Sequence, residues 1–478
     1  MKKTRILITV LAITMAALLA LAGCSGKSSE TDGTDTSVET AETSSADVTA
    51  IENHEDGGHA IEANGENASY SDISVVKTGD SSGDEADFYG ENAAVFATNG
   101  ATLELTNIVV ETDGTHANGV FSYGEGTTVN ISDSEIYTSG NCSGGLMTTG
   151  GGTMNATDLT IHTTGNSSAA IRSDRGGGTV NVNGGTYTTD GKGSPVIYST
   201  ADITVSDAVL ESTVSQGVVV EGRNSVTLNN VVLIADNNTK NSDKSDYYQA
   251  VMIYQSMSGD AAEGEAYFTM NGGSLTNKNG DIFFINNTSC QINLQAVEIN
   301  NEGGGIFLRA AAAGWGNEGS NGGHVVLNAA NQIVTGDILV DEVSTLNAYF
   351  SEGSSFEGAI NYDGEEGEVY VELSGGSTWT LTGDSYITSL TCDADSVNLN
   401  GYKLYINGVE YTEGTASKGE AVSYVVTPGN GGQGNMPPDA PPDGQGGPGG
   451  NPPDGQGGPG GNPPDGQGVP GGNPPERP

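Results

Sequence analysis

Thr128-Val-Asn-Ile-Ser-Asp-Ser-Glu-Ile-Tyr-Thr138 recurs, with changed letters and unchanged spacing, as Thr153-Met-Asn-Ala-Thr-Asp-Leu-Thr-Ile-His-Thr163 and Thr179-Val-Asn-Val-Asn-Gly-Gly-Thr-Tyr-Thr-Thr189. Between Val95 and Ala235 three apolar rows keep step. The first reads Leu103, Val129, Met154, Val180, Ile203, Val226, at intervals of 26, 25, 26, 23 and 23 residues. Two residues on, the second reads Leu105, Ile131, Ala156, Val182, Val205, Leu228. Seven residues after the first, the third reads Val110, Ile136, Ile161, Tyr187, Leu210, Leu233. An earlier position also recurs as Val95, Val120, Leu146, Ile171, Val196, Val218. Fixed offsets within a unit, with length differences pushed into the turns, mark one supersecondary unit stacked on itself.

The first two rows sandwich a residue that is mostly polar (Glu104, Asn130, Asn155, Asn181, Thr204, Thr227), which is the period-two alternation of a strand. Turn clusters such as Thr112-Asp-Gly-Thr115 and Gly140-Asn-Cys-Ser-Gly144 follow. Three short strands and three turns fill about 25 residues, leaving no room for a crossover helix. The leucine-and-asparagine pattern of a leucine-rich repeat is missing, and a propeller blade needs about 40 residues. The reading is a single-stranded, right-handed parallel β-helix of the all-β class, with like residues stacked at ~4.8 Å.

Composition narrows the partners. The 478 residues hold 16 Lys or Arg against 61 Asp or Glu, a net charge of −45. Loss of Met1 to Gly23 would remove Lys2, Lys3 and Arg5 and leave 13 bases against 61 acids, or −48. Such a charge argues against nucleic acid and against anionic membrane surfaces. Cys142 and Cys290 lie six coils apart in this register, about 29 Å, whereas a disulfide needs Cα atoms within about 7 Å. Neither a disulfide framework nor a CxxC zinc pattern is present.

Along the chain, residues 1–24 form a basic, then apolar leader ending in Leu21-Ala22-Gly23-Cys24. This resembles the lipobox of bacterial lipoproteins, which implies acylation of Cys24, export and anchoring by lipid alone. Residues 25–58, rich in Ser, Thr, Asp and Glu, read as a disordered tether. Residues 59–427 form the β-helix domain, with an irregular first coil from about Ala60. Its register continues through Phe268, Met270 and Leu275, then Ile292, Leu294 and Ile299, and next at Val325. Extra residues fall at Asn237 to Tyr248, Gln255 to Glu265 and Ala310 to Gly323, the last two in the same turn two coils apart. Asn400 to Gly408 reads as a hairpin-like closing strand. Residues 428–478, repeating Pro-Pro-Asp-Gly-Gln-Gly-Gly-Pro-Gly-Gly-Asn, read as a disordered tail.

Long insertions on a rigid scaffold tend to carry function. Here they hold Trp315, Asn317 and Glu318, and Asp260 and Glu263. An indole stacks on the C–H face of a sugar while amides and carboxylates bond its hydroxyls; the same indole could instead anchor its own loop. Arg172, Asp174 and Arg175 form the densest charge cluster on the regular coils, with Glu221 and Arg223 two coils later. They read as a surface ion-pair ladder worth ~0–1 kcal/mol per pair, or as an arginine base for lyase chemistry aided by calcium. Asp80, Asp84 and Asp87 in the first long turn are candidate calcium ligands, without EF-hand or RTX spacing. The five histidines are scattered and suggest no nucleophilic triad.

The rows above resemble the pectate-lyase-like β-helix superfamily. Asp87-Phe-Tyr-Gly-Glu-Asn-Ala-Ala-Val95, Ala169-Ala-Ile-Arg-Ser-Asp-Arg-Gly-Gly177 and Ser377-Thr-Trp-Thr-Leu-Thr-Gly-Asp384 are similar to stretches of adhesin-like bacterial surface proteins with this fold. The Asn-Thr-Asp, Asp-Asp, Gly-His-Gly and Arg-Ile-Lys signatures of polygalacturonases are absent. The resemblance implies display at the cell surface. The sequence therefore favours a monomeric, non-catalytic, adhesin-like or carbohydrate-binding lipoprotein whose partner is a polysaccharide or a host glycan. A polysaccharide lyase acting on acidic glycans is the second reading, and a structural spacer the third.

Overall fold

The computed structural model describes residues 49–256, 258–364, 366–423 and 426. The leader with Cys24, the tether up to residue 48 and the C-terminal tail lie outside these residues. Three long sheets, every strand parallel to its neighbours, make up a parallel β-helix. We denote them A (10 strands), B (11 strands) and C (13 strands). Up to Asn301 the chain passes from B to C to A in each coil, as in Val120–Tyr123, Thr128–Ser132 and Glu135–Thr138; beyond it the third strand joins a separate four-stranded sheet.

The apolar rows are the interior ladders. Leu103 pairs with Val129, Val129 with Met154, Met154 with Val180, Val180 with Ile203 and Ile203 with Val226 on sheet C. Val110, Ile136, Ile161, Tyr187, Leu210 and Leu233 do the same on sheet A. All twelve side chains are buried. Outside, the polar residues stack as well: Asn155 Nδ2 donates to Asn130 Oδ1 (2.8 Å) and Asn181 Nδ2 to Asn155 Oδ1 (2.9 Å).

The corners explain why the repeat holds its spacing. The turn from sheet C to sheet A places a left-handed residue at the same position of each coil: Asn107 (φ 52°), Asp133 (50°), Asp158 (51°), Gly184 (74°), Asp207 (54°) and Asn230 (53°). Asn, Asp and Gly are the residues that visit this conformation at low cost. The turn from A to B is lined by buried hydroxyls. Ser168 Oγ accepts from Ser143 N (2.9 Å), Ser194 Oγ accepts from Ser168 N (2.8 Å), and Thr138 and Thr189 Oγ1 donate to the carbonyls of Ser143 (2.6 Å) and Ser194 (2.7 Å). These bonds satisfy corner backbone groups that no ladder reaches.

Three boundaries differ from the sequence reading. Thr49–Asn53 is already a strand of sheet A, paired with Ile73–Lys77, so the coils begin ten residues before the expected limit at residue 59. Its only large apolar residue is Ile51, too little for a strand to be read from composition. Sheet B aligns Ile197, not Val196, with Ile171 and Val218; both are buried, Val196 filling the corner before the strand. Leu327, not Val325, follows Ile292, and Val325 pairs with Cys290. The eight-residue strand Gly323–Ala330 turns Val325, Leu327 and Ala329 all inward, so apolar spacing alone leaves its phase open. At the far end Leu404–Ile406 and Val409–Glu410 form an antiparallel hairpin, in agreement with a closing hairpin. Cys142, Cys290 and Cys392 are free thiols.

Candidate functional site on the outer face of sheet B

Sheets A and C alternate between buried and accessible residues, as a sheet with one wet face must. Sheet B does not. Val95–Thr98, Leu146–Thr149, Val218–Glu221, Gln249–Tyr254 and Asp281–Asn286 are buried at every position. Its outward residues run Phe96, Phe121, Met147, Arg172, Tyr198, Val219, Met252, Phe284 and Arg309. Four insertions, all at the two corners flanking sheet B, cover this face: 78–94, 236–248, 255–264 and 311–322.

At one end the short helix Asp84–Phe88 lies over Phe96, Phe121 and Met147, which form one apolar cluster with Ala93. Thr149 Oγ1 donates to Phe88 O (2.7 Å) and pins the helix there. At the other end Val219, Met252, Phe284, Tyr254 and Ala311 cluster beneath the long loops. Trp315 packs edge-to-face on Tyr254 (centroids 5.2 Å) and Tyr247 lies 5.4 Å from Phe284. Two of the insertions bond to each other, Gly314 N donating to Lys244 O (2.7 Å).

Between the two apolar ends the expected surface ladder of Arg172, Asp174, Arg175 and Glu221 is instead a largely buried polar tract, because the insertions cover it and bring in Asp84 and Asp260. Arg172 Nη2 donates to Asp174 Oδ2 (2.8 Å). Arg175 Nε donates to Asp260 Oδ1 (2.7 Å) and its Nη1 to Asp84 Oδ2 (3.0 Å), with the guanidinium 3.6 Å above the Phe88 ring. Arg175 thus joins the helix to the loop 255–264. Further along, the Tyr198 hydroxyl donates to Glu221 Oε2 in a short bond, and the Tyr254 hydroxyl donates to the same oxygen at 3.0 Å.

Burial sets the protonation of this tract. It pushes the Asp174 carboxyl up to about 6 against the pull of Arg172. It also raises the Glu221 carboxyl, against the hydroxyls that bond it. Burial, reinforced by Glu221, holds both tyrosine hydroxyls well above their ordinary value. Five carboxylates (Asp84, Asp87, Asp174, Glu221, Asp260) face two guanidinium groups, so the tract is short of positive charge.

The calcium candidates do not converge. Asp80 Oδ1 accepts from Thr115 N (2.7 Å), Asp84 meets Arg175, and Asp87 Oδ1 lies 2.8 Å from His116 Nδ1. Of the loop candidates, Trp315 and Asp260 join the covered face, while Asn317 and Glu318 are exposed and Glu263 is half-buried. A cavity of about 110 Å³ opens beside Trp315. Its floor is Tyr198, Val219, Met252 and Tyr254; Tyr247, Tyr248 and Trp315 wall it; Gln216, Lys240, Asn241 and Ser242 rim it, with Asn237 and Gln249 buried beneath. A larger hollow of about 350 Å³ on sheet A, over Glu111, Tyr137 and His162, is walled by strand and corner residues alone.

Tyr198 and Tyr254 were not singled out by sequence, although the signal existed. In Val120-Phe-Ser-Tyr123, Leu146-Met-Thr-Thr149 and Val251-Met-Ile-Tyr254 the outward position is itself large and apolar, which means a sheet covered on both sides. Neither a protein-family model, nor a curated protein, nor a solved structure matches the chain.

Proposed function

We propose that the protein is a non-catalytic, carbohydrate-binding surface protein whose ligand lies against the covered flank of sheet B, beside Trp315. The observation that carries this reading is the cavity with aromatic floor and walls and an amide and hydroxyl rim. Aromatic faces suit the C–H faces of a pyranose ring, and side-chain amides and hydroxyls suit its equatorial hydroxyls. The edge-to-face contact with Tyr254 holds Trp315 in the lining of the cavity, which supports a loop anchor that also presents the indole to a ligand.

The lyase reading loses support on chemical grounds. A base arginine must be free to take a proton, and Arg172 and Arg175 are both committed to carboxylates. The lipobox-like Leu21-Ala-Gly-Cys24 supports a lipid anchor at Cys24, and the resemblance to adhesin-like β-helix proteins of the pectate-lyase-like superfamily supports a cleft displayed outside the cell.

The test is retention on arrayed neutral and acidic polysaccharides, run beside an ultraviolet assay for unsaturated uronate. Trp315→Ala should weaken retention about tenfold or more, as loss of a central aromatic anchor does. Retention unchanged by Trp315→Ala, or uronate release abolished by Arg175→Ala, would overturn the proposal.

A further inference from the structure

At the edge of the polar tract, where the corner from sheet A to sheet B meets the short helix, Asp87, His116 and Cys142 bring one potential ligand atom each to within 4.8 Å of one another. We propose that these three side chains bind a zinc ion, a site separate from the glycan cleft and independent of it.

Three observations support the site. First, the donor set of one imidazole, one thiol and one carboxylate is the mixture that zinc takes in preference to calcium or magnesium, and three protein ligands leave a fourth position for water. Second, the ligands sit on rigid backbone. His116 and Cys142 occupy the same rung of successive coils, both left-handed (φ 59° and 56°), and both amides are held by the next coil (His116 N to Asn141 O, 2.9 Å; Cys142 N to Asn166 O, 2.8 Å). Third, His116 is only 8% exposed, and its Nδ1 lies 2.8 Å from Asp87 Oδ1 without the alignment of an N–H···O hydrogen bond. Buried polar atoms normally find partners, and widening this contact to about 3.3 Å, the edge of a tetrahedral zinc site with bonds of about 2.0–2.1 Å, would seat both atoms on one ion.

Binding would release the thiol proton to water, because thiolate is the form that ligates. It would also tie the helix Asp84–Phe88, through Asp87, to two consecutive coils. The ion would therefore close one end of the cover over sheet B.

The proof is stoichiometry and dependence on sulfur. With the thiols kept reduced, the full chain should take up one zinc ion, and unfolding should shift to higher temperature as zinc is added. Cobalt in its place should give a thiolate-to-metal absorption band in the near ultraviolet. Cys142→Ser should lose that band and at least about tenfold in zinc affinity. This variant should keep the fold, since Ser167 holds the same left-handed rung one coil later (φ 55°). His116→Asn should also lose affinity, while circular dichroism of both variants stays that of the wild type. Zinc affinity unchanged by Cys142→Ser, or a preference for calcium over zinc, would overturn the site. Glycan retention is read separately, so either proposal can fail alone.

Discussion

Replacing Arg175 by alanine removes three contacts at once, and the structure ranks them. The bond to Asp260 is short (2.7 Å) and that carboxylate is only 17% exposed, which places it among charge-assisted bonds worth about 1.5–3 kcal/mol. The bond to Asp84 is 3.0 Å long and its carboxylate is 71% exposed, so it is worth about 0–1 kcal/mol. The Phe88 ring, 3.6 Å below the guanidinium, adds about 0.5–1 kcal/mol. Of these contacts only the Asp260 bond holds the loop 255–264, so Arg175→Ala should free that loop by about 1.5–3 kcal/mol, or about 12- to 150-fold in local opening. Hydrogen exchange reads this directly: the Arg223 amide, which donates to Ala262 O (2.9 Å), should exchange faster by that factor. Amides of the helix should respond less, because Thr149 still holds Phe88 O. A double-mutant cycle should give Arg175 a coupling of about 1.5–3 kcal/mol with Asp260 and about 0–1 kcal/mol with Asp84. The clasp is refuted if Asp84 proves the stronger partner, or if exchange at Arg223 does not change.

Two further outcomes are expected. Ala296 holds the left-handed corner rung (φ 53°) that Gly272 fills in the coil before and Asn331 in the coil after. Ala296→Gly should raise stability in denaturant by about 0.5–1 kcal/mol, the αL strain relieved less the extra freedom of unfolded glycine; a lower midpoint would contradict the corner assignment. Asp174, raised by burial to about 6, lies above an unfolded aspartate at about 3.9. Its contribution is therefore fully present below about pH 4 and is lost as pH rises through about 6. Wild type should gain unfolding temperature relative to Asp174→Asn as pH falls from about 7 to about 5, and a flat difference would mean that Asp174 stays ionised.

The coil architecture was legible because a parallel ladder repeats one environment. Val129, Met154 and Val180 meet the same neighbours, so the same kind of residue is selected at each, and the period shows. The same logic failed where a strand offered equivalent inward positions two residues apart, as at Val325 and Leu327, or where two successive apolar residues are both buried, as at Val196 and Ile197. The site was legible only in pieces. Arg172 with Asp174 could be seen, being two residues apart in the chain. Asp84 and Asp260 reach Arg175 from loops far away in sequence, and no local pattern encodes that meeting. His116 and Cys142 share a rung, yet their common position is visible only once the corner is aligned coil by coil. The doubled apolar character of sheet B was the one clue in plain view to where the loops would fold down.

The left-handed corner residue has a consequence for how such a chain can change over generations. A residue lost or gained within a strand would swap inside for outside over the rest of that rung, and a whole wall would lose its fit. A few residues spliced in beside a corner leave both flanking walls untouched. Substitutions are therefore channelled to the flat outer faces and insertions to the bends. Two bends bordering a single wall have collected all four large additions, which makes that wall the place where new binding properties can arise without refolding the rest.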